Sequence, residues 1–119
     1  MDKETNRIAV ASSDGIVVNS HFGRARKFYI YEQKSDELRL EEVREVEPVC
    51  EGGNHDAGKL QENMELLSDC RYLLVSRIGY EAAAVAAQFE IEPYEIPGLI
   101  PDAVEQLTKF VKVKELFQF

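Results

Sequence analysis

The pattern of apolar residues changes around residues 48–55, and this change limits the folds open to the chain. Before that segment, apolar and β-branched runs are separated by short polar stretches, which is typical of antiparallel strands. After it, segments with apolar residues three or four positions apart alternate with short apolar runs, as in α/β proteins. The sequence therefore predicts an α/β chain with an antiparallel first half and parallel strands in its second half.

Two features of the first half predict local distortions of its strands. Asp14-Gly15 separates two apolar runs, and such a pair predicts a tight hairpin between them. Further along, the apolar alternation slips at Glu41-Glu42, which predicts a β-bulge. The predicted strands of this half lie at 7–12, 16–18, 28–31 and 38–46.

Three helices and two strands are predicted in the second half. The run 72–75 is continuously apolar, as in a strand that is buried on both faces. Pro93 places the last strand at a sheet edge, because proline cannot donate a ladder hydrogen bond. The predicted helices lie at 57–67, with Asn54 or Asp56 as its cap, at 80–89, and from Pro101 onward, and the last strand lies at 91–96.

Composition excludes several classes of protein. The chain has 119 residues, of which 45% are hydrophobic, so we expect a single domain over residues 1–119. Lysine and arginine number 14 against 22 aspartates and glutamates, and the net charge of −8 argues against a nucleic-acid binder. The longest apolar run, 82–87, is too short to span a membrane, and no secretory leader is visible. We expect a cytoplasmic protein without nucleic-acid or membrane partners.

Soft metal ligands are few in this chain. It has two cysteines, Cys50 and Cys70, and two histidines, His21 and His55. Two cysteines are too few for a disulfide scaffold, and an autonomous zinc or iron–sulfur site normally takes four ligands. Any metal chemistry must therefore use a centre that arrives already built or is shared with a partner. We expect Cys70, which adjoins the buried run 72–75, to lie in the core.

The segment 19–27 is the strongest candidate for binding chemistry. His21 is a potential transition-metal ligand, and Gly23 permits a tight backbone turn beside it. Three cations occur within residues 21–27 without a carboxylate, and they would favour an anionic metal cluster or an oxyanion. Alternatively, His21 caps a loop and the cations form a solvated surface. The cations are Arg24, Arg26 and Lys27.

Two further segments are candidates for the same site. Cys50 lies in a glycine-containing loop with His55 five residues later, a spacing that does not match a zinc motif. The alternative is a flexible connector with an incidental thiol. Arg77 and Gly79 follow the predicted strand 72–75, and α/β folds bind ligands at the carboxyl ends of such strands. The alternative for this segment is a plain strand–helix turn.

Six short motifs are distributed over nearly the whole chain. They are I-A-V-A-S-S-D-G at 8–15, V-V-N-S-H-F-G-R-A at 17–25, F-Y-I-Y-E at 28–32, V-C-E-G-G at 49–53, D-C-R-Y-L-L-V-S-R-I-G at 69–79 and I-E-P-Y-E at 91–95. In this order they resemble the dinitrogenase iron–molybdenum cofactor biosynthesis family. Its domain occurs alone in NifX-type proteins and as the C-terminal domain of NifB-type proteins.

The resemblance implies a ribonuclease-H-like three-layer fold, in which three helices flank a mixed five-stranded sheet. It implies a protein that is not an enzyme and that binds or carries the iron–molybdenum cofactor, or its iron–sulfur precursor, during nitrogenase cofactor assembly. The implied partners are this anionic metal cluster and nitrogenase or cofactor-assembly proteins. The chain has no C-x₃-C-x₂-C motif, so it cannot build a cluster in the NifB manner.

The resemblance also implies which residues contact the cluster. His21 is the implied metal ligand, Arg24 is its basic neighbour, and Cys50 and His55 are further candidate metal ligands. The cations of the segment 19–27 and the turn after the strand 72–75 add to these residues. The expected cofactor-binding residues are therefore His21, Phe22, Gly23, Arg24, Arg26, Arg77 and Gly79.

Two other functions are compatible with the sequence. The first is a regulatory or assembly module of the same fold that binds no metal and presents aromatic side chains to a partner. The second is a metal-dependent nuclease, which needs several converging carboxylates. The aromatic candidates are Tyr29, Tyr31, Tyr80, Phe117 and Phe119, and the carboxylate candidates are Asp14, Glu32 and Asp69.

Overall fold

The computed structural model describes residues 5–51 and 54–117, and the side chains of Glu51, Asn54 and His55 lie outside this description. The strands are β1 (Thr5–Ala11), β2 (Val17–Val18), β3 (Lys27–Lys34), β4 (Glu37–Glu45), β5 (Cys50–Glu51), β6 (Asn54–His55), β7 (Tyr72–Val75), β8 (Glu92–Glu95) and β9 (Gly98–Leu99). The helices are α1 (Ala57–Glu65), α2 (Tyr80–Gln88) and α3 (Ile100–Leu116), and a turn of 3-10 helix spans Phe22–Arg24.

Five strands form the central sheet, in the order β4-β3-β1-β7-β8. Strand β3 runs antiparallel to β1 and β4, whereas β7 runs parallel to β1 and β8. The mixed five-stranded sheet, with its antiparallel first half and parallel second half, is therefore confirmed. Pro93 lies in β8 at the edge of the sheet, as predicted.

The hairpin predicted at Asp14-Gly15 is wrong. Strand β1 pairs with β3, and β2 pairs with β9 from a distant part of the chain. The Asp14 carboxylate accepts hydrogen bonds from the N–H groups of Ile16 and Val17 at 2.9 and 3.2 Å, and these bonds lower its pKa. Gly15 adopts a φ of 77° within this turn. The aspartate–glycine pair therefore makes a local side-chain turn rather than the end of a β-ladder.

The bulge predicted at Glu41-Glu42 is confirmed. Tyr31 of β3 pairs with Leu40 of β4, whereas the preceding residue, Ile30, pairs with Glu42. Glu41 is therefore the extra residue on β4, and the strand bends locally at this point.

The helices begin close to their predicted starts. The Asp56 carboxylate accepts a hydrogen bond from the Lys59 N–H at 3.1 Å, so Asp56 is the cap of α1. Helix α3 begins at Ile100, and Pro101 occupies its first turn, where a missing N–H breaks no helical bond. Among the described residues, no helix is both long enough and apolar enough to cross a bilayer.

Alternate side chains of the sheet pack against helices on opposite faces, which gives three layers. On one face, α1 and α2 cover an apolar cluster that includes Phe28 and Leu73. On the other face, α3 covers a second cluster that includes Ile8 and Leu74. These four side chains are fully buried, and burial stabilises each of them by roughly 1.5–3 kcal/mol.

An ion-pair cluster connects the α1–β7 loop to the sheet, and we call its four residues, Arg7, Glu42, Arg44 and Asp69, the Asp69 cluster. The Arg44 guanidinium donates to the two Asp69 oxygens at 2.8 and 2.9 Å and to Glu42 at 2.7 Å. Arg7 lies 3.6 Å from Asp69. The bonds from Arg44 lower the pKa of Asp69 from 3.8 to about 2, so this carboxylate stays charged well into the acidic range.

Candidate functional site

A cleft of about 760 Å³ lies where the chain leaves β7, at the carboxyl end of this strand. Its wall is formed by five parts of the chain, 21–24, 49–50, 60, 77–82 and 95, and its place at the end of β7 agrees with the usual position of ligand sites in α/β sheets. Seven of the residues predicted from the sequence line it: His21, Phe22, Gly23, Arg24, Cys50, Arg77 and Gly79.

The loop that carries His21 is hydrogen-bonded to the segment after β7. The Ser76 N–H donates to the Ser20 carbonyl at 3.0 Å, and the Phe22 N–H donates to the Arg77 carbonyl at 2.9 Å. Between these bonds, His21 forms an isolated parallel bridge with Arg77. Phe22 is buried in the core, whereas His21 is exposed. The loop is therefore anchored on both sides of a histidine that faces solvent.

Gly23 allows Cys50 to approach this loop. A Cβ atom on residue 23 would lie 2.8 Å from the Cys50 sulfur and 3.4 Å from its Cβ. Any side chain at position 23 would therefore displace the thiol. Cys50 is half-buried at the start of β5 and pairs through its backbone with His55 of β6. The side chain of His55 lies outside the described residues, so its role as a metal ligand stays a prediction.

The turn between β7 and α2 forms the opposite wall of the cleft. Gly79 is the N-cap of α2, and a Cβ atom there would have no heavy atom within 4 Å, so the backbone is open at this point. The preceding Ile78 N–H donates to a carboxylate oxygen of Glu95 at 2.8 Å. Glu95 is the last residue of β8, which runs parallel to β7 beside it, so both strands end at the same sheet edge.

The sequence reasoning missed two carboxylates that line the cleft, Glu81 and Glu95. Glu81 lies in the first turn of α2, where the helix dipole favours acidic residues. A signal for Glu95 was present, because it lies near the end of the strand predicted at 91–96. The carboxyl ends of neighbouring parallel strands lie at the same edge of a sheet.

Arg24 and Arg77 provide the positive charge of the cleft. Both are exposed, and neither forms an ion pair within residues 5–51 and 54–117. Two arginines and two glutamates leave the cleft lining formally neutral, in a chain whose net charge is −8. An anion therefore meets less repulsion in the cleft than over the rest of the surface.

Arg26 does not line the cleft in the described structure. Ala25, just before it, is extended and buried, and successive side chains of an extended segment point in opposite directions. Arg26 is exposed, and its carbonyl accepts a hydrogen bond from the Val46 N–H at 2.9 Å. Lys27 begins β3, paired with Glu45.

The two cysteines occupy different environments. Cys70 is buried, as predicted for a core residue, and burial raises the pKa of its thiol to about 12. Its S–H donates to Asp69 at 3.6 Å. Cys50 lines the cleft together with His21. Across the part of the chain that the structure describes, no three histidine, cysteine, aspartate or glutamate side chains are grouped to hold a metal ion.

The carboxylates considered for a nuclease have other partners. Asp14 accepts the backbone hydrogen bonds of its own turn. Glu32 and Asp69 lie 3.7 and 3.6 Å from two nitrogens of the same guanidinium, that of Arg7. An arginine between two carboxylates stabilises their charge without a metal ion.

The aromatic residues considered for an interface divide into two groups. Tyr29 and Tyr31 are partly buried and pack against the apolar cluster under α3. Tyr80 is 91% exposed at the cleft, and Phe117 is 75% exposed after α3. Phe119 lies outside the described residues.

Comparison with known sequences agrees with the motifs. A protein-family model described as dinitrogenase iron-molybdenum cofactor matches residues 5–110. The FeMo cofactor biosynthesis protein NifB of Frankia alni is 41% identical over 103 residues, which cover 84% of this chain and 20% of NifB. Protein NifX of Sinorhizobium fredii is 30% identical over 112 residues, which cover 89% of this chain and 70% of NifX. The chain thus spans about one fifth of the length of the Frankia NifB.

Two solved structures are similar to this fold. The crystal structure of PH0822 superposes with a TM-score of 0.63 and 26% identity, covering 81% of this chain and 82% of that one. The NMR structure of a Thermotoga protein described as a candidate NifB superposes with a TM-score of 0.59. Its identity is 22%, with 87% of this chain and 88% of that chain covered, so this likeness concerns the fold alone. Because the family model matches nearly the whole described length, the chain belongs to the dinitrogenase iron–molybdenum cofactor family.

Proposed function

We propose that this chain binds the iron–molybdenum cofactor, or its iron–sulfur precursor, in the cleft and passes it on during nitrogenase cofactor assembly, without catalysing a reaction. One observation carries the proposal: the cleft combines two soft ligands, His21 and Cys50, with Arg24 and Arg77, which form no ion pair within the described residues. The names of the NifB and NifX relatives support a role in cofactor assembly.

The chemistry of the lining suits a metal–sulfur cluster as cargo. Imidazole and thiolate groups are good ligands for iron and other transition metals. Arginine side chains donate several hydrogen bonds from a fixed plane and do not lose their charge, so they can stabilise an anionic cluster. In our proposal, His21 and Cys50 contact metal atoms, while Arg24 and Arg77 neutralise the charge of the cluster.

The small number of ligands suits transfer. A site with four protein ligands holds a metal centre permanently, as in structural zinc and iron–sulfur sites. Two protein ligands leave most of the cluster accessible to a recipient, which we propose is nitrogenase or a cofactor-assembly protein. The cytoplasm, where nitrogenase cofactor would be handled, is the proposed location.

We also propose that the fold is ribonuclease-H-like. The sheet order and the split between antiparallel and parallel strands support this class. The fold class does not determine the activity. Of the carboxylates considered for a nuclease, Glu32 and Asp69 both pair with Arg7.

The proposal is tested by anaerobic titration of the protein with isolated iron–molybdenum cofactor, followed by absorbance and EPR spectroscopy. We expect His21→Ala and Cys50→Ala each to weaken binding about tenfold or more and to change the EPR signal. Arg77→Ala should weaken binding without changing the signal. The matched control is Arg39→Ala on β4, whose side chain is 71% exposed, and it should bind like the parent. If His21→Ala and Cys50→Ala both bind like the parent, the cleft is not the site.

A metal-free assembly module is the second candidate function, and the nearly full exposure of Tyr80 favours it. Exposed aromatic residues are enriched at protein interfaces. A pull-down from a nitrogen-fixing extract, with and without added cofactor, separates the two. Capture of a partner that is equal in both samples and lost in Tyr80→Ser would favour the module.

A further inference from the structure

We propose that Glu95 is an internal competitor of the anionic cargo, a carboxylate that occupies a backbone donor of the cleft and so weakens binding and speeds release. This inference rests on the proposed function of the cleft, and it assigns a role to the last residue of the I-E-P-Y-E motif at 91–95.

The geometry begins with one hydrogen bond. The Ile78 N–H donates to the Glu95 carboxylate at 2.8 Å, a short distance for an N–H donor and typical of a charged acceptor. Ile78 immediately precedes Gly79, the N-cap of α2, whose surroundings are open. Glu95 itself is exposed and lines the cleft. The carboxylate therefore takes the donor that an anion in this cleft would otherwise receive.

The charges of the cleft explain how this carboxylate lowers the affinity for an anion. Arg24 and Arg77 attract an anion, whereas Glu95 repels it from the same space. A bound cluster must either displace the carboxylate from Ile78 or lie close to it, and both weaken binding. When the cluster leaves, the carboxylate returns to Ile78 without waiting for a solvent ion. Glu95 thus opposes the attraction of the two arginines and keeps the affinity low enough for transfer.

A capping role for Glu95 makes a different prediction. In that case the hydrogen bond to Ile78 matters and the negative charge does not. Glu95→Gln separates the two roles, because its amide oxygen can still accept the Ile78 N–H while the charge is gone. Glu105→Gln is the matched control, since Glu105 is exposed on α3 and lies 3.8 Å from Lys109.

The experiment compares the parent, Glu95→Gln and Glu105→Gln by anaerobic titration with isolated iron–molybdenum cofactor. We expect Glu95→Gln to bind about tenfold more tightly and to release the cofactor correspondingly more slowly. Glu105→Gln should match the parent. Equal affinity of Glu95→Gln and the parent overturns the inference, while the proposed function stands.

A second probe keeps the test independent of the proposed cargo. Tetrathiomolybdate, a small dianion, is titrated into ¹⁵N-labelled protein while the amide signal of Ile78 is followed by NMR. Tighter binding to Glu95→Gln than to the parent, with movement of the Ile78 signal, supports the inference. Equal binding to both proteins, or no binding to either, overturns it. Failure of the isolated cofactor to bind any variant contradicts the proposed function, and the dianion titration then decides the role of Glu95 by itself.

Discussion

The two ends of β7 use arginine in opposite ways. Before the strand, in the Asp69 cluster, Arg44 donates to two carboxylates and to the Leu66 carbonyl, and only 18% of its side chain is exposed. After the strand, Arg77 is exposed at the cleft and forms no ion pair within the described residues. An arginine whose partners belong to the chain stabilises the fold, as Arg44 does. An arginine without such partners among the described residues, such as Arg77, is available to a ligand.

Stabilising ion pairs and candidate binding groups lie at opposite ends of β7. The Asp69 cluster joins β1, β4 and the loop before β7, so its pairs stabilise the packing of the sheet against α1. The cleft instead contains a donor occupied by an exposed carboxylate, a glycine with open surroundings and a half-buried thiol. Arrangements of this second kind are typical of sites that exchange partners.

The largest expected effect is the difference in alkylation rate between the two cysteines. Cys70 adjoins the Asp69 cluster, and Cys50 lines the cleft. At pH 8 a thiol with a pKa of about 12 is a thiolate in roughly one molecule in 10,000, and Cys70 is also buried. We expect iodoacetamide to modify Cys50 at least about 100-fold faster than Cys70 in the folded protein. Mass spectrometry of peptides over time measures both rates. In concentrated urea the two rates should converge, and similar rates in the native protein would contradict the comparison.

A smaller effect is expected on the free energy of unfolding when Arg44 and Arg77 are each replaced by alanine. Arg44→Ala leaves Asp69 without its main partner and should lower the free energy of unfolding by about 1–2 kcal/mol. Arg77→Ala removes no ion pair among the described residues and should change the free energy of unfolding by less than about 0.5 kcal/mol. Urea denaturation followed by circular dichroism measures both. A larger loss for Arg77→Ala than for Arg44→Ala would reverse the assignment of the two regions.

The smallest expected effect is the pH dependence of the stability that Asp69 contributes. The pKa of Asp69 is lowered from 3.8 to about 2 in the folded state, so its stabilisation is complete above pH 4 and is lost as the pH falls through about 2. Because 48% of the side chain is exposed, solvent reduces the contribution to about 1 kcal/mol. The difference in unfolding free energy between the parent and Asp69→Asn should therefore shrink between pH 5 and pH 2. A difference that is constant over this range would show that the charge of Asp69 is not involved.

Much of the fold could be predicted because its signals are local. The apolar run 72–75 identified the buried strand, the slip at Glu41-Glu42 identified the bulge, and Asp56 was one of two expected caps. The hairpin at Asp14-Gly15 was wrong because this pair specifies a turn and not the strands that it connects. Which strand β2 joins is decided by β9, far along the chain, and no local pattern contains that information.

Separate segments of the candidate site were predicted, but not all of the residues that line it. The loop with His21 and the turn with Arg77 were each identified from their residues, and the end of β7 explains why they meet. Arg26 was expected at the cleft because it is close to His21 in sequence, but the extended backbone at Ala25 directs it elsewhere. Glu95 was missed because the I-E-P-Y-E motif was interpreted as a strand, and the partner of this carboxylate is a backbone N–H of another segment.

The pairing of β2 with β9 has a consequence for the order in which the protein matures. Val18 pairs with Gly98, and the Ile100 N–H donates to the Ile16 carbonyl at 3.0 Å, so residues about 80 positions later hold the segment that leads to His21. Contacts between such distant segments form late in folding, since a long loop must close first. On the ribosome, the His21 loop therefore gains its final position only after β9 has emerged. Until then, a nascent chain would present its histidine without the completed cleft.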